Sequence, residues 1–408
     1  MIRYGRSPWV DRFPKSHIPT FPQQRGALET DVIIIGGGLT GCATAYAFAA
    51  AGVKVVVVEA DRIARGSSGS ATGLVADAPS ASFRQIEQAV GLRSARRAWQ
   101  AWRRSALDFA TLLRRLDVKC GLRAAPALRL ARTPEQAASL KRELKARRDA
   151  GVDGSAVNAR AARAEAATDV VAGLRTRDGS TIDPYRAALG LAAAALARGA
   201  VIFERSPVKK VKFGPKAVEV ETSGGRLRGK RVIIATGRPT ALFKALVRHF
   251  WFHSTFCVLT DPIPARVRKT IASPPLVVID SAEPAHYVRW VDEDRLLVAG
   301  ADAPVVPDRL REKTVVQRTG QLMYELSTMY PEISGLPPAY GWEATYVRTG
   351  DGLPYIGPHR NFPRHLFAFG CGSHSVTDAY LASRILLRHY QDEPDAADEV
   401  FGFTTSRL

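Results

Sequence analysis

"DVIIIGGGLTGCATAYAFAAAGVKVVVVEAD", Asp31 to Asp61, is the stretch that decides the fold. Its apolar run from Val32 to Gly36 suits a strand buried on both faces. The alanine-rich segment up to Gly52 suits a helix closed by a glycine in the left-handed region. Val55 to Val58 reads as a second buried strand. Between first strand and helix stands G-x-G-x-x-G, as Gly36, Gly38 and Gly41. Gly36 allows the tight turn, Gly38 lets the backbone approach a pyrophosphate, and Gly41 lets the helix lie close on the strand. Glu59, at the end of the second strand, is placed to accept hydrogen bonds from an adenosine ribose. Together these parts specify a dinucleotide, without saying which one.

The segment after Glu59 narrows the choice. A simple nicotinamide dehydrogenase would continue with further βα units, whereas Glu59 leads into "ADRIARGSSGSATGLVADAPS" and then long helices. Small residues let a backbone lie against a large planar ligand; a flexible surface loop has the same composition. "TIDPYRAALGLAAAALARGA" predicts a helix capped by Asp183, with Pro184 in its first turn. "AVEVETSGG" and "KRVIIATG" predict a hairpin and a buried strand that closes at Ala235, Thr236 and Gly237 beside the nucleotide. From about Ala241 to Ala339, "STFCVLT", "LVVID", "HYVRWV" and "RLLVAG" predict an antiparallel sheet, followed by a helix around "TVVQRTGQLMYELSTMY".

Composition sets the outer limits. A chain of 408 residues, 46% apolar and 24% charged, reads as a soluble globular protein of about two domains rather than a disordered one. The excess of 58 Lys+Arg over 39 Asp+Glu gives a net charge of +19, much of it on Arg-rich helices. No arginine-rich tail, zinc-ligand spacing or RNA-binding signature accompanies it, so solvated basic faces are expected and no nucleic-acid partner. Cys42, Cys120, Cys257 and Cys371 form no close pair, which predicts neither disulfides nor a zinc site and suits a reducing, cytoplasmic setting. No apolar run reaches the ~18 residues that cross a bilayer. Residues 1–27 read as an extended arm.

"DVIIIGGGLTG" with Glu59, "RGSSGSATGLV", "VIIATG", "TGDGLPYIGP" and "HLFAFGCGSHSVTDAYLASRIL", in this order, resemble the D-amino-acid oxidase and glycine/sarcosine oxidase superfamily of FAD enzymes. The resemblance implies an α/β fold with an α+β substrate part: a Rossmann-like FAD-binding domain of the glutathione-reductase type and an interleaved antiparallel-sheet substrate domain. The implied division is an arm over 1–27, a FAD-binding domain over 28–82, 150–240 and 341–408, and a substrate domain over 83–149 and 241–340. It implies that FAD lies against Gly36, Gly38, Leu39, Thr40 and Gly41, with Glu59, Ala60 and Val208 at the adenosine end. Arg65, Ser67, Ser68, Ala71, Thr72, Gly73 and Leu74 are likewise implied to contact FAD, with Ala235, Thr236 and Gly237 beside the nucleotide. Gly352, Gly370, Gly372, Ser373, Ser375, Val376 and Thr377 would meet the flavin ring. There the last helix aims its N-terminus at the ring edge that gains negative charge on reduction, an arrangement that favours an anion by roughly 0.3–1 kcal/mol.

Two departures from the family pattern concern the last turn and the substrate. The usual G-x-G-G-x-G of the last turn reads Gly370, Cys371, Gly372, Ser373, His374 and Ser375 here. Where amino-acid-oxidising members tend to carry an Arg three residues before the Thr of this segment, the chain has Tyr346. Arg348, two residues on, shares its strand face and can bind a carboxylate bidentately; the alternative is an amine substrate without a carboxylate. His374, facing the flavin in the resemblance, and His253, where the chain enters the substrate sheet, complete the candidate catalytic set. Tyr287 and Arg289 share one face of "HYVRWV" and either project toward the substrate or pack in the core. Cys371 reads as a buried free thiol rather than a covalent flavin link. The implied reaction moves a hydride from the carbon bearing the nitrogen to the flavin and leaves an imine that water hydrolyses, with oxygen or another acceptor reoxidising the cofactor. Readings from other classes are a nicotinamide-dependent dehydrogenase and a flavin-binding subunit without turnover.

Overall fold

The computed structural model describes residues 2–370, 376–404 and 407. The opening motif forms a strand Gly26–Ile35, a helix Leu39–Ala50 and a strand Val55–Val58. Val32, Ile33 and Ile34 have no solvent exposure, as the continuous apolar run requires of a strand covered on both faces. Around them, among the described residues, five strands run parallel in the order Val201–Phe203, Val55–Val58, Gly26–Ile35, Gly225–Gly237 and Phe362–Phe369. The long strand Gly225–Gly237 serves twice. Its first half pairs with the expected hairpin strand Val218–Thr222, and its second half with Phe362–Phe369. Helices Leu39–Ala50, Pro184–Leu196 and Thr377–Tyr390 pack together on this unit. Asp183 caps the second of them, accepting from Arg186 N at 3.0 Å.

The second sheet has nine strands among the described residues. Its order is Arg3–Tyr4, Pro338–Arg348, Trp251–Thr260, Arg295–Pro304, Tyr287–Val291, Val277–Ile279, Ala127–Ala131, Ala172–Thr176 and Ser155–Asn158. The central strands are antiparallel, as their alternation predicts. Helix Asp308–Met329 covers one face. Sheet membership crosses the sequence-based boundaries at three points. Ser155–Asn158 and Ala172–Thr176, expected with the nucleotide-binding part, hydrogen-bond into the larger sheet. So do residues 341–348, and from the arm Arg3–Tyr4 adds an edge strand beside Tyr340 and Gly341. The alanine-rich stretch 155–176 has no alternating apolar pattern to announce its strands; their pairing comes from the neighbouring strand Ala127–Ala131.

Candidate active site

Four strand ends meet at the carboxyl edge of the parallel sheet, where open α/β sheets bind their ligands. Gly36 N donates to Val58 O at 3.0 Å, and Gly370 N donates to Gly237 O at 3.1 Å. The glycines are steric necessities here. A Cβ on Gly36, whose φ is +111°, would lie 2.6 Å from Ala235 O, and one on Gly41 would lie 1.8 Å from Gly36 O. Gly38 is the N-cap of helix Leu39–Ala50 and has no side chain to cap it, and no acid stands in the first turn. A helix N-terminus so left is suited to a pyrophosphate. Ser68 Oγ accepts from Leu39 N at 2.7 Å, tying the second small-residue segment to that terminus. Glu59 accepts from Gly37 N at 2.7 Å and from Asp61 N at 2.9 Å, which sets its carboxylate at the mouth of the glycine turn. Ser206 N donates to Glu59 O, so the chain leading to Val208 passes the same corner. Ala60, Arg65 and Ser67 are solvent-exposed around it, and Thr40 is buried in the helix.

The small-residue segment is held from outside over consecutive peptides. Ser7 Oγ donates to Gly69 O, Trp342 Nε1 to Ser70 O at 2.8 Å, and Trp9 Nε1 to Ala71 O at 2.8 Å. Arg289 donates to Thr72 O through Nε at 2.9 Å and Nη2 at 2.6 Å. Four successive carbonyls are thus captured by side chains of the larger sheet and of the N-terminal arm. Gly73, φ +73°, passes so close beneath that its missing Cβ would sit 2.2 Å from Ile182 O and 2.8 Å from Arg289 Nη2. Burial pushes the Arg289 pKa down to about 10. Between the two sequence readings of Arg289, it is a buried clamp and not a substrate-facing cation. On the far side, Val376 N donates to Leu74 O and Thr377 Oγ1 to Ala76 O, so the last helix begins against the same segment. Gly352, φ +76°, leaves room for Ala81, whose Cβ would be 2.5 Å from its own, and a Cβ on Gly370 would be 3.0 Å from Thr349 Cγ2. Arg407 staples this loop: its guanidinium spans both oxygens of Asp351, and both side chains are buried.

Of the candidate catalytic residues, the sheet brings His253 and Tyr346 together as cross-strand partners, with ring centroids 6.0 Å apart. Arg348 pairs likewise with Trp251 and lies on the same face at the exposed strand end. Tyr346 is buried and donates its hydroxyl to the Asp302 carboxylate; burial first, and Asp302 second, raise its pKa well above that of a free phenol. Asp302, together with Trp9, Trp342 and Arg407, carries no signal in the sequence, because each acts through a partner far away in the chain. His374, with Gly372, Ser373, Ser375 and Cys371, lies outside the described residues. Cys42, Cys120 and Cys257 are free and buried, and burial raises the pKa of each.

A model of FAD-dependent oxidoreductases matches residues 31–388. The chain belongs to that family. The match fits the glycine cradle and the helix N-terminus behind it, which suit the pyrophosphate of FAD, and it decides for FAD over the nicotinamide reading. Among relatives, gamma-glutamylputrescine oxidoreductase of Escherichia coli (strain K12) is 26% identical over 376 residues, covering 91% of this chain and 86% of the relative. Glycine oxidase of Geobacillus kaustophilus (strain HTA426) is 26% identical over 339 residues, 81% and 84% of the two chains. The crystal structure of glycine oxidase from Geobacillus kaustophilus superposes with a TM-score of 0.75 at 20% identity, covering 92% of this chain and 99% of that one. L-Proline dehydrogenase from P. horikoshii gives a TM-score of 0.75 at 18% identity, covering 94% and 97%. These structural matches establish the Rossmann-like FAD-binding fold with its added sheet.

Proposed function

We propose that this flavoenzyme oxidises the C–N bond of a small amine or amino acid to an imine, which water hydrolyses. One observation carries the reading: the polar face holding His253, Tyr346 and Arg348 belongs to the same sheet whose Trp342 and Arg289 grip the cofactor segment, so substrate and flavin share one frame. The relatives named for glycine, proline and gamma-glutamylputrescine support the donor class. Bound FAD supplies a two-electron acceptor for the hydride on the carbon that bears nitrogen. The chain's own task is orientation. Tyr346 is fixed by Asp302 and stays protonated, so it acts as a hydrogen-bonding wall rather than a base. A substrate that enters as the neutral amine needs no strong base, because its nitrogen lone pair drives hydride departure. Glycines 36, 38 and 41 with Glu59 are proposed to hold the adenosine diphosphate half. The segment 67–74, with Gly237, Gly352 and Gly370, is proposed to border the flavin. The division we propose follows the sheets, with 155–176 and 338–348 on the substrate side.

Arg348 is proposed as the carboxylate anchor when the substrate is an amino acid: its guanidinium has no hydrogen-bond or ion-pair partner among the described residues. Arg348→Ala should raise the apparent Kd for an amino acid by roughly ten- to a hundredfold, since charge-assisted hydrogen bonds contribute ~1.5–3 kcal/mol. Reduction by the matching carboxylate-free amine should not change. Anaerobic bleaching of the flavin with matched amine and amino-acid pairs measures both. Unchanged amino-acid affinity in the variant removes Arg348 from the reading, and a flavin that no amine or amino acid bleaches removes the donor class.

A further inference from the structure

The face of the nine-stranded sheet turned away from the glycine edge lies under helix Asp308–Met329. Alternation puts Val288 and Val298 on that face, and Tyr287 and Ala299 on the other. Between it and the last turns of the helix is a cavity of about 230 Å³. This is below the roughly 300–1,000 Å³ of drug-sized sites, so an occupant must be small.

The cavity walls carry one unanswered donor and one unanswered acceptor. Arg132 lines it with Nε and Nη2 buried and without an acceptor among the described residues. Glu325 Oε2 lies 2.8 Å from His286 Nε2 as an ion pair and accepts no hydrogen bond from the described residues. The other Glu325 oxygen is taken by Gln321 Nε2 at 2.9 Å. His286 Nδ1 is 2.7 Å from Asp280 Oδ2. Burial alone would discharge His286, but the flanking Asp280 and Glu325 outweigh it and raise its pKa. A protonated His286 between Asp280 and Glu325 leaves one net negative charge on the trio, opposite in sign to Arg132. The remaining wall is apolar, formed by Val288, Leu326 and Met329. A buried guanidinium edge asks for a carboxylate, and a buried carboxylate oxygen asks for an ammonium. A ligand that offers both brings no net charge of its own.

We propose that this cavity is a second ligand site, back to back with the substrate face, for a small zwitterionic amino acid with an apolar side chain. Arg132 takes its carboxylate, Glu325 its ammonium, and the Val288, Leu326 and Met329 wall its side chain. The site is independent of the oxidation, and its test requires no turnover.

2-Aminoisobutyrate is the probe, because the carbon bearing its nitrogen has no hydrogen and cannot lose hydride. Titrated calorimetrically into the FAD-loaded protein, it should bind saturably. Arg132→Gln and Glu325→Gln should each weaken binding by about tenfold or more, as loss of a charge-assisted pair implies. The titrations are made in the Arg348→Ala protein, where the proposed substrate-side carboxylate anchor is gone, and saturable binding of the probe should persist there. Glu325 is on a helix with its side chain partly exposed, so Glu325→Gln carries the test if Arg132→Gln does not fold. Acetate and methylamine, each offering half of the recognition, should bind at least about tenfold more weakly. Absence of saturable binding means the cavity holds water only and overturns the proposal. In the Arg348→Ala background, binding that survives both cavity variants assigns the probe to another site and overturns the proposal as well.

Discussion

Trp9→Phe tests how the N-terminal arm acts on the cofactor. Phenylalanine keeps the buried aromatic body, against which the Arg289 guanidinium lies 5.3 Å from the ring centroid, and deletes one donor. Ala71 O then loses its 2.8 Å hydrogen bond from Nε1. A buried carbonyl left unpaired costs ~1–3 kcal/mol. Its neighbours are still held by Ser7, Trp342 and Arg289, so the loss should stay local and loosen the cofactor segment without releasing it. If the held geometry is the FAD-binding one, most of the loss appears in cofactor affinity, and the Kd for FAD should rise roughly 5- to 100-fold. Ser7→Ala removes the adjacent bond to Gly69 O, and the double variant should weaken FAD more than either change. Quenching of FAD fluorescence on titration into apoprotein measures the Kd, and thermal unfolding of the apoprotein controls for stability. A Kd within about twofold of wild type in the double variant, with lowered apoprotein stability, would refute the reasoning and leave the arm a mere edge of the larger sheet.

Gly38→Val should yield colourless protein that is still folded, because its Cβ would press on Ser68 Oγ, 3.1 Å away, and its branches would fill the path of a pyrophosphate; flavin absorbance after purification checks it. Arg407→Ala leaves Asp351 buried without its guanidinium partner, and a broken buried pair costs ~3–5 kcal/mol, which denaturant unfolding of the holoprotein should register. For pH, the His286 pKa is raised in the fold, by Asp280 and Glu325 with help from Asp302 and against burial. Its stabilisation is therefore complete below the unfolded value of ~6.5 and is lost as pH rises through the folded value. Asp280 is lowered by His286 against its own burial, so its share is present above its unfolded value of ~3.9 and is lost as pH falls through the folded one. The difference in unfolding free energy between wild type and His286→Gln, in which the opposite contributions of His249, His359, His365 and His389, all lowered by burial, cancel, should decline from pH 5 to 9.

Glycine spacing, buried strands and turn residues were readable in advance because they are local requirements. The close approaches of Gly36 to Ala235 and of Gly41 to Gly36 admit no side chain, and a strand covered on both faces needs a run such as Val32 to Ile35. The antiparallel platform was legible from a period of two and FAD through the order of the family motifs, whereas the cross-strand pairing of His253 with Tyr346 was not. What the chain order hides is contact at long range. Ser7 and Trp9 meet Gly69 and Ala71, Arg289 meets Thr72, and Arg407 meets Asp351 through single hydrogen bonds or ion pairs, and such bonds impose no pattern on the residues around them. The strands Ser155–Asn158 and Ala172–Thr176 were missed for the related reason that a short, alanine-rich strand takes its identity from the partner it pairs with. Asp302 beneath Tyr346, and the cavity between Arg132 and Glu325, exist only once the sheet is assembled, because burial and opposed charge are properties of the packed chain.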